Sequence, residues 1–145
     1  MPFDQILWPT DFSENAAKAL STVTEMAEKF GAAIHILYVM RDYPAFGASY
    51  GEHNPDDYEK MKQWEKEMAE SRLDELCQNF LNACPLYIKH IAVGDPAKEI
   101  LKLVQKEKID LIIMTSKRSE SHFDFGSVAD NVVKSSAVPI MAIPV

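Results

Sequence analysis

The segment Ala33 to Val39, AIHILYV, leaves no face for water. Successive side chains of a strand point to opposite faces, so a run that is apolar at almost every position must be covered above and below. That is the situation of a strand inside a parallel sheet with helices on both sides. Four other segments read as strands: Phe3 to Trp8, closed by Pro9; Leu86 to Val93, entered after Pro85; Asp110 to Met114; and Pro139 to Val145. Longer stretches with apolar residues at three- and four-residue steps lie between them. This alternation predicts an α/β fold, an open doubly wound five-stranded parallel sheet with helices on both faces and right-handed crossovers.

The helical segments carry their own punctuation. Ser13 is placed to cap the first, Glu14 sits in its first turn, and Ala16, Leu20, Val23, Ala27 and Phe30 form its buried stripe until Gly31 ends it. The second runs from Asp57 to roughly Asn82, with Tyr58, Met61, Trp64, Met68, Leu76 and Phe80 spread among many charges. In Gly94-Asp95-Pro96, Asp95 is an N-cap and Pro96 the first helical residue, and Ile100, Leu101 and Val104 supply the third stripe. Ser127, with Asp130 three residues on, gives a capping-box-like start to the last helix. From Met40 to Pro55 the chain reads MRDYPAFGASYGEHNP, without period, and loops of this length in compact domains are functional or mobile. With 145 residues, 47% of them hydrophobic, and neither repeat nor linker, residues 1–145 are expected to form one domain. Open sheets of this type take ligands outside the carboxyl ends of the strands where the winding reverses, here the loops after the first and fourth strands.

A net charge of -7 and a pI near 5.0 argue against a nucleic-acid partner, because binding a phosphate backbone needs clustered Lys and Arg. Cys77 and Cys84 form no CxxC pair and no histidine stands at metal-ligand spacing from them. No metal site is expected, and the cysteines read as free thiols in a reducing compartment. Met1 to Gln5 shows no basic segment leading into a long apolar core, and no run approaches the ~18 apolar residues that a membrane helix needs. The expectation is a cytoplasmic protein without membrane association.

Several separated motifs then occur in one order: Ile6-Leu7-Trp8-Pro9-Thr10-Asp11-Phe12-Ser13, Gly94-Asp95-Pro96, Leu111-Ile112-Ile113-Met114, and Gly126-Ser127 leading to Val138-Pro139-Ile140. Together they resemble the universal stress protein family over essentially the whole chain. The resemblance implies strand order 3-2-1-4-5, with the first strand beside the fourth, and a homodimer. Family members that bind ATP carry Gly-x2-Gly-x9-Gly-Ser/Thr after the fourth strand. Here Thr115 and Arg118 stand at the early glycine positions, seven residues separate Arg118 from Gly126, and only the closing Gly126-Ser127 is kept. Positions matching the family's other nucleotide contacts remain: Pro9, Thr10 and Asp11 after the first strand, Val39, and Met114. The nucleotide-binding set implied is therefore Pro9, Thr10, Asp11, Val39, Met114, Thr115, Gly126 and Ser127.

Glycines let backbone N–H groups approach phosphate oxygens and permit positive φ, a freedom that Thr115 and Arg118 remove. Asp124 also puts a carboxylate near the positive end of the last helix. Lys117 and Arg118 could hold phosphate through their side chains, and the N–H groups beginning at Ser127 offer a small anion site. Tight ATP binding is not expected and no cofactor is required, whereas weak binding of adenosine or AMP through Thr10, Asp11 and Val39 stays open.

Plainer roles compete for the same residues. Asp11 can meet a ribose or adenine or can stabilise the positive end of the first helix; Ser13 reads as its cap. No G-x-S-x-G elbow is present and no histidine has a recognisable catalytic setting, so no catalytic residue is assigned. His35, between Ile34 and Ile36, reads as a satisfied buried histidine, and His53 and His122 as solvated loop residues. Asp124-Phe125-Gly126 matches the metal-binding tripeptide of protein kinases without the other kinase motifs, a coincidence. Met61, Trp64, Met68 and Tyr58 form an inward stripe or, alternatively, a partner surface. In the 3-2-1-4-5 order the last strand is an edge, and its Ile140, Met141, Ala142 and Ile143 are expected to pair antiparallel with a second copy. The expected function is a small stress-response regulatory or protective module, homodimeric and not an enzyme. Two alternatives stay open: an adenine-nucleotide sensor using the crevice between the first and fourth strands, slow hydrolysis included, and a hydrolase or transferase on the same fold.

Overall fold

The strand Gln5–Pro9 (β1) lies at the centre of the sheet, with Ile6, Leu7 and Trp8 buried on both of its faces. It pairs in parallel with Ala33–Met40 (β2), from Gln5 opposite Ala33 to Pro9 opposite Leu37, and with Leu111–Ser116 (β4), where Ile6 and Leu7 face Leu111 and Ile112. Tyr87–Val93 (β3) adds outside β2 and Ile140–Pro144 (β5) outside β4, all parallel, giving the order β3-β2-β1-β4-β5. The computed structural model describes residues 3–40, 55–80, 87–116 and 125–144. The loop between residues 41 and 54, with His53, lies outside the described residues, as do Cys84 and the segment with Lys117, Arg118, His122 and Asp124.

Asp110 fastens β1 to β4 at their starts. Its carboxylate accepts the N–H groups of Asp4 at 2.9 Å and Gln5 at 3.1 Å, and its own N–H donates to the Gln5 carbonyl at 2.9 Å. These bonds satisfy backbone groups that precede the regular ladder.

Helices cover both faces. On one, Leu20–Phe30 (α2) and Pro55–Phe80 (α3) lay Leu20, Val23, Ala27, Leu73 and Cys77 against Ile6, Trp8, Ile34, Ile36 and Ile113. On the other, Pro96–Lys106 (α4) and Phe125–Ser135 (α5) lay Ile100, Leu103, Val104 and Val132 against Leu7, Leu37, Ile112 and Met114. Asp95 caps α4, accepting the Lys98 N–H at 3.0 Å, with Pro96 in the first turn.

Three local expectations are corrected. The first helix is broken into Glu14–Ala17 (α1) and α2. At the junction the Ala19 N–H reaches back to Ala16 at 3.2 Å instead of to residue 15, a tighter turn that buries Ala16, Ala19 and Leu20 together. Along α3 the inward stripe is Ala69, Leu73 and Cys77, while Met61, Trp64 and Met68 are 55%, 64% and 40% exposed. The small side chains of Ala69 and Cys77 let the helix approach the sheet, and the bulkier stripe turns outward. Ser127 lies inside the first turn of α5, which begins at Phe125, so it does not occupy the cap position.

Candidate functional site

The chain winds from β1 to β2 and β3 on one side and returns through β4 and β5 on the other. The crevice at the carboxyl ends of β1 and β4 is therefore the switch point where doubly wound sheets take ligands. The loop after β1 is held by its own side chains. Thr10 Oγ1 accepts the Phe12 N–H at 3.1 Å, Asp11 Oδ1 accepts the Ser13 N–H at 2.9 Å, and Ser13 Oγ accepts the Ala16 N–H at 3.1 Å. The Thr10 N–H is bonded to the Leu37 carbonyl at 2.9 Å. Ser13 thus caps α1, as its position in the sequence suggests, its hydroxyl answering the Ala16 N–H and its carbonyl the Ala17 N–H.

What the loop still offers is an acceptor. Asp11 is exposed and commits one carboxylate oxygen to Ser13, leaving the other for a hydroxyl or amino group. Both roles weighed for Asp11 are thereby compatible, because the turn uses Oδ1 alone.

Strand alternation sorts the remaining site residues. Val39 and Met114 belong to the core on the α4/α5 side, and Pro9 follows Leu7 onto that face two residues later. Thr10 follows Trp8, and Thr115 follows Ile113, onto the α2/α3 side, where both are buried. Gly126 and Ser127 lie at the start of α5, a helix whose Val128, Ala129 and Val132 pack on the Val39 and Met114 side. Pro9, Val39 and Met114 thus share one face of the crevice with the start of α5, and the side chains of Thr10 and Thr115 face away.

Sequence reasoning anticipates His35 as buried and satisfied, and the structure adds its partners. His35 Nε2 lies 2.6 Å from Gln5 Oε1, and its Nδ1 lies 2.9 Å from Nε2 of His90 on β3. Burial pushes both imidazoles below their ordinary range. His90 escaped the sequence reading, although strand order offered the signal: Ile88 stands opposite His35, and His90 is the next residue on the same face. Also unforeseen is Phe12, held at φ 64°, with its ring 4.7 Å from that of Tyr38 and the Arg72 guanidinium carbon 5.6 Å from its centroid. Among the described residues no cluster of three or more His, Cys, Asp or Glu side chains could hold a metal ion, and no helix is long and apolar enough to cross a membrane.

A five-stranded parallel sheet of this order, with its crevice at the β1/β4 switch point, defines a doubly wound α/β protein. The chain belongs to the universal stress protein family, whose model matches residues 2–144. It is 28% identical to universal stress protein MJ0577 of Methanocaldococcus jannaschii over 97% of this chain and 94% of that protein. The solved structure of MJ0577 superposes with a TM-score of 0.82 at 26% identity, covering 100% of this chain and 98% of the other. The same fold recurs in a universal stress protein in complex with cAMP, with a TM-score of 0.68, 17% identity and coverage of 99% and 98%. It recurs again in the universal stress protein of Archaeoglobus fulgidus in complex with dAMP, with a TM-score of 0.65, 18% identity and coverage of 99% and 99%.

Proposed function

We propose that this chain is a single-domain, cytoplasmic stress-response regulatory module, homodimeric through β5, whose crevice takes an adenine nucleoside or its monophosphate weakly and does not hold ATP tightly. The observation that carries this reading is the state of the loop after β1: the N–H groups of Thr10, Phe12, Ser13 and Ala16 are committed internally while Asp11 gives only one carboxylate oxygen to the turn. Such a site suits the hydroxyl and amino donors of a nucleoside better than a chain of phosphates. The apolar wall for the base would be Pro9, Val39 and Met114, and the start of α5 at Gly126 and Ser127 offers N–H groups for one phosphate. The cAMP and dAMP complexes on the same fold support a monophosphate as the ligand.

Calorimetric titration with AMP, cAMP and magnesium ATP tests it. AMP or cAMP should bind in the high micromolar range or weaker and Asp11→Ala should weaken it roughly tenfold, as expected for loss of a hydrogen bond to a charged group. ATP should bind no more tightly than AMP. A low-micromolar dissociation constant for ATP, abolished by Gly126→Val, would overturn the proposal. Turnover of ATP that disappears in Asp11→Ala would favour the enzymatic alternative.

A further inference from the structure

We propose that the cavity between α1 and α3, on the face of the sheet opposite the crevice wall, binds a small carboxylic acid with an apolar body. The cavity has a volume of about 370 Å3, near the lower end of the ~300–1,000 Å3 typical of small-molecule sites. Its apolar lining comes from Trp8, Phe12, Ala17 and Leu76, and its polar lining from Thr10, Ser13, Arg72 and Glu75.

The floor carries an unanswered donor. Trp8 is 1% exposed, yet among the described residues it has no hydrogen bond. Among the described residues, no buried side-chain nitrogen or oxygen is sealed off without a partner. The indole N–H of Trp8 is therefore not sealed off, and the cavity is the open space that Trp8 lines. Thr10 uses its oxygen to accept the Phe12 N–H, which leaves the hydroxyl proton available.

The mouth carries an uncommitted cation. Arg72 lies over the Phe12 ring and, among the described residues, forms no ion pair. Its planar fork of donors suits a carboxylate. Phe12 is fixed between Tyr38 and Arg72 with a left-handed φ of 64°, a conformation that a bulky residue keeps only where its surroundings hold it. The available groups, Trp8 N–H, Thr10 O–H and the Arg72 guanidinium, are all donors, and the only charge among them is positive. Their complement is an acceptor-rich anion with an apolar body. Among the described lining residues, Glu75, exposed at the rim three residues after Arg72, would favour a cation instead. The sign of the ligand's charge therefore decides the assignment.

The two indole N–H resonances of the nitrogen-15-labelled protein provide the test, assigned with Trp64→Phe and followed during titration with phenylacetate. A saturable shift of the Trp8 resonance, with Trp64 unmoved, is expected. Phenylacetamide and phenethylammonium should bind at least roughly tenfold more weakly, and Arg72→Leu should weaken phenylacetate by a similar factor without changing phenylacetamide. Ala17→Phe, at the exposed rim, should block the cavity while the remaining amide spectrum keeps its dispersion. An unmoved Trp8 resonance, equal binding of acid and amide, tighter binding of phenethylammonium, or undiminished binding in Arg72→Leu would each overturn the proposal. AMP binding in the crevice is measured separately, so either site can fail without the other.

Discussion

The two edges of the sheet are built in opposite ways. At β3, Lys89 is ion-paired with Asp74 of α3, and His90 is tied inward to His35. An ion pair on an outer strand obstructs the approach of another strand. At β5 there is no charge at all: Lys134 is the last charged side chain before it, Ile140, Met141 and Ile143 are half-buried, and Ala142 is exposed. Among the described residues both strands have a neighbouring strand on one side only. The difference teaches that an edge is open or closed by its side chains and not by its place in the topology. β3 carries a charged pair and β5 carries none, which suits the pairing proposed for β5.

The strongest way to break this comparison is to give β5 the charge it lacks. Met141→Asp would place a carboxylate at the proposed strand pairing, and desolvating an unpaired charge there should cost about 3 kcal/mol, more than a hundredfold in association. Light scattering at low micromolar concentration should report twice the chain mass for the native protein and one chain mass for the variant. A monomeric native protein, or a variant that remains dimeric, would remove the distinction between the edges.

Much of the sheet is readable before any coordinates exist, because buried parallel strands demand near-continuous apolar runs and AIHILYV satisfies no other arrangement as well. Caps were equally readable at Ser13, Gly31 and Asp95, where a side chain or a left-handed φ is required locally. The break between α1 and α2 was not, since alanine is a good helix former and only burial against the sheet makes the turn tighten. The inward stripe of α3 is hard to read because hydrophobicity ranks Met61, Trp64 and Met68 above Ala69 and Cys77, whereas close approach of helix to sheet rewards small size; the exposure of Met61, Trp64 and Met68 agrees with the alternative of an outward surface. For the crevice, family resemblance supplied Pro9, Val39 and Met114. Arg72 and Trp8 come from distant parts of the chain, and nothing in their local sequence announces that α3 brings them to one cavity.

The histidine pair sharpens the comparison from the guarded side. With Gln5 Oε1 accepting from His35 Nε2, the His35 Nδ1 is left to accept from His90 Nε2, so a proton added at this contact sets two N–H groups against each other. Burial is the main cause that lowers both groups; the neighbouring His90 lowers His35 further, Lys106 lowers His90, and Glu107 opposes in both cases. Just below the unfolded value of 6.5 the unfolded chain therefore binds more protons than the folded one. Stability must rise with pH through that window, be fully present above it, and fall on acidification toward the depressed folded values. Urea unfolding between pH 5 and 7 should show this slope, and His90→Gln should flatten it. Retention of the full slope in the variant would assign it to other groups.

The smallest effect is expected at Lys89, and its smallness is informative. The Lys89 and Asp74 side chains are 41% and 52% exposed, so solvent screens the pair and its removal should change stability by only ~0.2–1 kcal/mol. If the pair serves to guard the edge, its main consequence lies in association and not in stability. Lys89→Val should therefore leave the urea midpoint nearly unchanged but produce a new, concentration-dependent association. That association should be visible even in the Met141→Asp background, where pairing through β5 is disabled. It should also resist added salt, because it would rest on apolar contact and strand hydrogen bonds and not on charge. A double variant that stays monomeric over the same concentrations would show that packing against α3 and α4 alone closes the β3 edge, and that the ion pair contributes nothing to the contrast with β5.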